Sequence, residues 1–191
     1  GVPSGRTLNI EAGARIHFHD NSGIIVSNGA SMKANGSLSS DTDLLENEII
    51  FEGDRLEPEF SDVPGQWAAI WLTEGSTGHE FNHVTIKNST VGILMDSNDG
   101  SSDPTLKIKN TQIYNSANVG LLARTGFIDA ENVVINNSGQ SSLNLSLGGQ
   151  YNFRHCTFTN YWRSGFRQFP AVLIENNLQV GETLFVSDLD V

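Results

Sequence analysis

The sequence predicts an all-β solenoid of stacked parallel strands, and three observations carry that prediction. The first is a repeat. Four segments between His83 and Phe166 read alike: His83-Val-Thr-Ile-Lys-Asn-Ser, Asn110-Thr-Gln-Ile-Tyr-Asn-Ser, Asn132-Val-Val-Ile-Asn-Asn-Ser and His155-Cys-Thr-Phe-Thr-Asn-Tyr. Their apolar column, Ile86, Ile113, Ile135 and Phe158, is spaced by 27, 22 and 23 residues, the range of solenoid repeats. The second is alternation. Val84 and Ile86 flank Thr85, Leu106 and Ile108 flank Lys107, Ile128 and Ala130 flank Asp129, and Tyr151 and Phe153 flank Asn152. A period of two with β-branched residues is the signature of a strand that buries one face. The third is a bend column: Asn88, Asn115, Asn137 and Asn160, with Gly120, Ser142 and Gly165 five residues after the last three and Gly92 four after the first. A unit this short cannot bury its own apolar face and must stack on its neighbours.

Taken in order, the elements fit one scheme. Leu8/Ile10, Ile16/Phe18 and Ile24/Val26 make a first coil of three strands, bent at Ala12-Gly13 and Asn21-Ser-Gly23. Ala30/Met32/Ala34 opens the next coil. A polar loop over 36–48 leads to Ile49/Phe51, and a longer excursion over 52–65 precedes Ile70/Leu72. From there three columns keep step: the repeats themselves, the strands Ile93-Leu94-Met95, Leu121-Leu122-Ala123 and Leu143-Asn144-Leu145, and the pairs Leu106/Ile108, Ile128/Ala130 and Tyr151/Phe153. Three short strands per turn joined by Gly- and Asn-rich bends describe a parallel β-helix with three short sheets. Residues 1–191 form one such domain of about seven or eight coils. The alternation at Leu184, Val186, Leu189 and Val191 starts a new coil, so residues 171–191 either fold over the open end as a cap or meet another molecule there, with end-to-end self-association.

Asparagine at the bends has a physical cause: it tolerates the left-handed backbone of a sharp turn, and its amide can bond the same amide one coil away. Asn88, Asn115, Asn137 and Asn160 are therefore read as an interior structural ladder, with His83 and His155 as substitutes in the neighbouring column of Asn110 and Asn132.

Composition narrows the function. Net charge is −11 with a pI near 4.7, and no basic stripe exists, which disfavours nucleic acid and anionic membranes. No apolar run is long enough for a membrane span. One cysteine, Cys156, rules out an internal disulfide; it is read as lying one residue off the inward column.

Few residues offer chemistry. Asp96, Asn98, Asp99 and Asp103 present hard oxygens around a glycine, a candidate calcium site, although the spacing departs from the EF-hand loop. His17 and His19 share one strand face and point outward, two ligands in search of a third. Aromatic residues give a candidate sugar platform: Trp71, between the inward Ile70 and Leu72, and the bend carrying Tyr161, Trp162, Arg163 and Arg167. Trp67 is alternatively core. No paired carboxylates stand on the strands, so no catalytic residue is assigned and no cofactor beyond possible calcium is implied.

Leu8-Asn-Ile-Glu-Ala-Gly-Ala-Arg-Ile-His-Phe18, Phe51-Glu-Gly-Asp-Arg55, Pro64-Gly-Gln-Trp67, Ile86-Lys-Asn88, Gly148-Gly-Gln-Tyr-Asn-Phe-Arg-His-Cys-Thr-Phe158 and Asn160-Tyr-Trp162 resemble right-handed parallel β-helix proteins of the pectate-lyase-like superfamily. More narrowly, they are similar to predicted cell-envelope lipoproteins of Bacteroides-type bacteria. The resemblance implies a right-handed, single-stranded helix, and secretion with anchoring through an N-terminal lipidated cysteine, a residue this sequence does not contain. The catalytic motifs of the lyase and galacturonase members are not found here. The expectation is a non-catalytic envelope or secreted protein that binds polysaccharide or a surface protein. The alternative is a polysaccharide lyase or glycoside hydrolase working from the 36–65 excursions.

Overall fold

The structure, a computed structural model, describes residues 1–98, 100–160, 172–175 and 189–190. It is all-β and its named strand pairs are all parallel. The first strands are β1 (Thr7–Ile10), β2 (Arg15–Phe18), β3 (Ile24–Val26), β4 (Ser31–Asn35) and β5 (Ile49–Gly53). A single 3₁₀ turn, Pro58–Phe60, sits in the excursion that follows. Next come β6 (Ile70–Leu72), β7 (His79–Asn82), β8 (Val84–Lys87), β9 (Val91–Met95), β10 (Leu106–Tyr114), β11 (Val119–Ala123) and β12 (Phe127–Asn136). The last are β13 (Ser141–Ser146), β14 (Gln150–Arg154), β15 (Cys156–Phe158), β16 (Val172–Glu175) and β17 (Leu189–Asp190). Six of them form one sheet in the order β16-β13-β11-β9-β6-β3, and the other eleven form the second.

Each repeat pairs with the next, and the sequence columns become columns in space. Ile86 lies opposite Ile113, Ile113 opposite Ile135 and Ile135 opposite Phe158, all fully buried. Leu106, Ile128 and Tyr151 form a second buried column, and Ile93, Leu121 and Leu143 a third. Apolar side chains at alternate positions meet in one continuous core.

Two sheets replace the three expected. β10 and β12 run unbroken through the bends at Asn110 and Asn132, so both of their halves belong to one sheet. Asn110, Asn132 and their column mates His83 and His155 all take positive φ, between 47° and 54°. One left-handed residue at each of these bends redirects the chain, and pairing resumes in the same sheet beyond it, Lys109 with Glu131 before the bend and Thr111 with Val133 after it. The excursion is also shorter than expected, because Glu52 and Gly53 complete β5 opposite His17 and Phe18.

Trp67 belongs to the core: it is fully buried, its ring stacks on Phe18 at 4.4 Å, and its Nε1–H donates to the Lys87 carbonyl at 2.9 Å. Cys156 is likewise a core residue, correcting the off-column reading. It stands two residues before Phe158 on the same face, in step with Val133, and burial pushes its thiol pKa up. Of residues 171–191, β16 adds to the six-stranded sheet beside β13 and β17 adds to the long sheet beside β15. The rest of the expected cap lies outside the described residues.

The outer face of the long sheet is charged. Lys33 bonds Glu80 at 2.8 Å, Lys109 bonds Glu131 at 2.8 Å, and Arg154 bonds Asp129 at 2.6 Å with Glu131 at 3.7 Å.

Candidate functional site

The six-stranded sheet shows a different exterior. Its strands are short, and in β6 the fully buried Ile70 and Leu72 force Trp71 outward, where it keeps 37% of its surface exposed. Register places Ile25, Trp71, Leu94 and Leu122 side by side on successive strands, followed by the buried Asn144. Trp71, from this column, joins Asn28, Thr73, Glu74, Asp96, Asn98 and Thr125, which lie just past the strand ends, in lining a cleft of about 640 Å³.

The indole is held in place. Its Nε1–H donates to Asp96 Oδ2 at 2.8 Å. Asp96 follows β9 directly, and its own N–H donates to the Leu72 carbonyl at 2.8 Å, tying strand end to strand end. Arg124, just past β11, grips the same carboxylate with both arms of its fork, Nε to Oδ1 at 2.7 Å and Nη2 to Oδ2 at 2.6 Å. A bidentate pair of this kind fixes direction as well as charge. Asn98 donates to Thr125 Oγ1 at 3.3 Å, closing the polar side of the cleft. An indole ring beside amides and hydroxyls presents in reverse what a sugar ring presents: a C–H face beside a rim of hydroxyls.

The structure thus brings together residues that the sequence assigned to two separate sites. Trp71 came from the sugar platform, Asp96 and Asn98 from the calcium loop. Both Asp96 oxygens are engaged by Arg124. Asn98 Oδ1 accepts from the Gly100 N–H at 3.0 Å and Asp103 donates its N–H to Ser101, local turn bonds both. Among the described residues no group of three or more His, Cys, Asp or Glu is placed for a metal ion. Asp99, Tyr161, Trp162, Arg163 and Arg167 lie outside the described residues.

A second polar cluster lies beside the 54–65 excursion. Glu52, only 8% exposed, pairs with Lys87 at 2.7 Å and approaches His17 at 3.7 Å. Burial raises the Tyr114 hydroxyl pKa; Lys87 opposes this, while Asp62 and Glu52 add to it. His19 turns away to Asp54, Nδ1 to Oδ2 at 2.7 Å, so the two histidines share no ligand position. Nearby, the Arg55 guanidinium lies 3.7 Å from the Phe60 ring centre.

At the bends, Asn88, Asn115 and Asn137 all take positive φ. The Asn137 amide donates to Asn115 Oδ1, but Asn115 turns its own Nδ2 toward Asp62 at 3.4 Å and Asn88 bonds the Ser61 carbonyl at 2.9 Å. The excursion therefore closes over this column. Asn160 accepts from the Ser138 N–H at 2.8 Å instead of stacking. The longer amide run is in the neighbouring column, Asn132 to Asn110 at 2.8 Å and Asn110 to Asn82 at 2.9 Å.

Arg124 and the Glu52–Lys87 pair escaped the sequence reading, and so did a histidine. His79 is fully buried, in line with Leu106, Ile128 and Tyr151. Its Nδ1 accepts the Met32 N–H at 3.2 Å, so Nε2 carries the proton and donates to Ser76 Oγ at 3.0 Å. Ser76 passes its own proton to the Thr73 carbonyl at 2.5 Å. Burial holds the imidazole pKa down at about 4. Counting back one 27-residue spacing from Leu106 finds the position.

No family model matches the chain, and neither a curated protein nor a solved structure matches it. Among the described residues no helix is long and apolar enough to cross a membrane.

Proposed function

We propose that the chain is a right-handed, single-stranded parallel β-helix and a non-catalytic cell-envelope or secreted protein that binds glycan on the outer face of its six-stranded sheet. Parallel pairing of each repeat with the next supports the helix, and connections between parallel strands of one sheet are right-handed in about 98% of cases. Envelope location, surface anchoring and end-to-end association belong to the same proposal and rest on the resemblance and on the solenoid's need for covered ends.

The observation that carries the glycan reading is Trp71: a large apolar ring left in water, yet clamped by Asp96 and Arg124. Ordering an exposed indole before a ligand arrives lowers the entropy lost on binding. A glycan array followed by calorimetry tests it. Wild type should retain at least one glycan class, and Trp71→Ala should lose it while still melting cooperatively as a folded protein. Equal binding by wild type and variant would overturn the reading.

A second reading, a carbohydrate-active enzyme, is favoured by the cluster of Glu52, Lys87, His17 and Tyr114 beside the excursion. Assaying the same glycans for new reducing ends or unsaturated products separates the two, since turnover supports only the enzyme.

A further inference from the structure

Resting on the glycan reading above, we infer that the ligand is an uncharged linear polysaccharide whose chain crosses the strands, following the outward column Trp71, Leu94 and Leu122. The molecule supplies its own control. One outward column of the long sheet carries Lys33, Glu80, Lys107 and Asp129 in register, the ordinary dress of a solvated face. The outward column of the six-stranded sheet carries Ile25, Trp71, Leu94 and Leu122 instead. Leu94 and Leu122 are half-buried and continue the more exposed Ile25 and Trp71, an apolar stripe that a ligand lying on it would cover.

Direction and length follow from the register. Neighbouring strands stand about 4.8 Å apart, so Trp71 to Leu122 spans about 10 Å across the strands. That is longer than one sugar ring, so the column has the length for a chain. Charge follows from the wall. Glu74 and Asp96 are the acids lining the cleft, and the Arg124 guanidinium is bound to Asp96 through two hydrogen bonds. A uronate or sulfated polymer would meet acids and a cation already paired, in a chain of net charge −11. Neutral hydroxyls meet Asn28, Asn98 and Thr125 without that penalty.

The test is calorimetry with β-1,4-linked gluco- and manno-oligosaccharides from di- to hexasaccharide, with oligogalacturonides of the same lengths as the charged series. Hexasaccharides of the neutral series should bind about tenfold more tightly than disaccharides, the effect of one more leucine-sized apolar contact. Leu122→Asn should erase that gain and leave disaccharide binding intact. Asparagine is tolerated there, since Asn144 holds the next place in the same column. Trp71→Ala should lose both. Affinity independent of length, equal binding of oligogalacturonides, or wild-type behaviour of Leu122→Asn would each overturn this inference while leaving glycan binding in place. Absence of binding to every glycan on the array would overturn the underlying reading as well. A dimer in light scattering that Leu122→Asn dissociates would make the column an interface between copies and overturn the glycan assignment.

Discussion

Lowering the pH should weaken this protein through a single interior side chain, His79. The folded state holds the imidazole neutral because the proton-free Nδ1 accepts the Met32 N–H, and burial brings its pKa to about 4. In the unfolded chain it titrates near the ordinary 6.5. Between those values the unfolded state binds the extra proton and the folded state does not, so stability rises with pH across the window. The contribution is fully present above about pH 6.5 and is lost as pH falls through about 4. At about 1.4 kcal/mol per pH unit, the gap corresponds to about 3 kcal/mol. Glu80 and Glu131, whose pKa values are lowered by hydrogen bonds from Lys33 and Lys109, surrender their share only at lower pH. The assay is urea unfolding at intervals from neutral pH down to about 4.5, for wild type and His79→Leu, whose new side chain matches Leu106 and Ile128 in the column. The variant should be less stable at neutral pH, because the Met32 N–H loses its acceptor, but flat where wild type slopes. Parallel slopes in the two proteins would refute the reasoning. So would an NMR titration of the folded protein that finds the His79 imidazole protonating near 6.5.

Three other outcomes are expected. Asn137→Ala loses the amide bond to Asn115 and puts a Cβ-bearing residue other than Asn at φ 54°, so thermal melting should show a loss of about 1–3 kcal/mol; Asn137→Gly should lose less, because glycine accepts that backbone. Gly120→Ala would place a Cβ 2.3 Å from Ile135 Cγ2 and 2.6 Å from the Ser142 carbonyl, and denaturant unfolding should register about 1–3 kcal/mol of overpacking. Cys156, fully buried with a raised pKa, should react with a thiol reagent on the order of a hundredfold more slowly in the native protein than in urea; equal rates would show that its rung is open.

The repeat was legible because every column has a cause that acts locally. Ile86, Ile113 and Ile135 recur since each strand buries alternate residues, and Asn88, Asn115 and Asn137 recur since each bend needs a left-handed residue. The division into sheets was not legible. A bend at Asn110 looks like a break in sequence, and only the backbone shows that pairing resumes in the same sheet beyond it. The cleft was half legible. Trp71 announced itself between two inward residues, but its partners Asp96 and Arg124 lie 25 and 53 residues further on and meet it only because strand ends stack. His79 was hidden by its chemistry: a histidine in an apolar column breaks the hydrophobic pattern that finds the column.

Stacked repeats invite a particular error, in which a strand skips its proper neighbour and pairs with the next copy along. The charged columns of the long sheet bear on this. In register, Lys33, Glu80, Lys107 and Asp129 follow one another with alternating sign, and Lys109, Glu131 and Arg154 do the same beside them. Each exposed pair adds little to stability. Skipping one strand, however, sets Lys33 against Lys107, Glu80 against Asp129 and Lys109 against Arg154, and like charges directly opposite are repelled. The alternation therefore works as a parity check along the chain: correct assembly sets opposite charges side by side from β4 through β12, and leaving out β7, β10 or β12 puts a like-charged pair opposite instead.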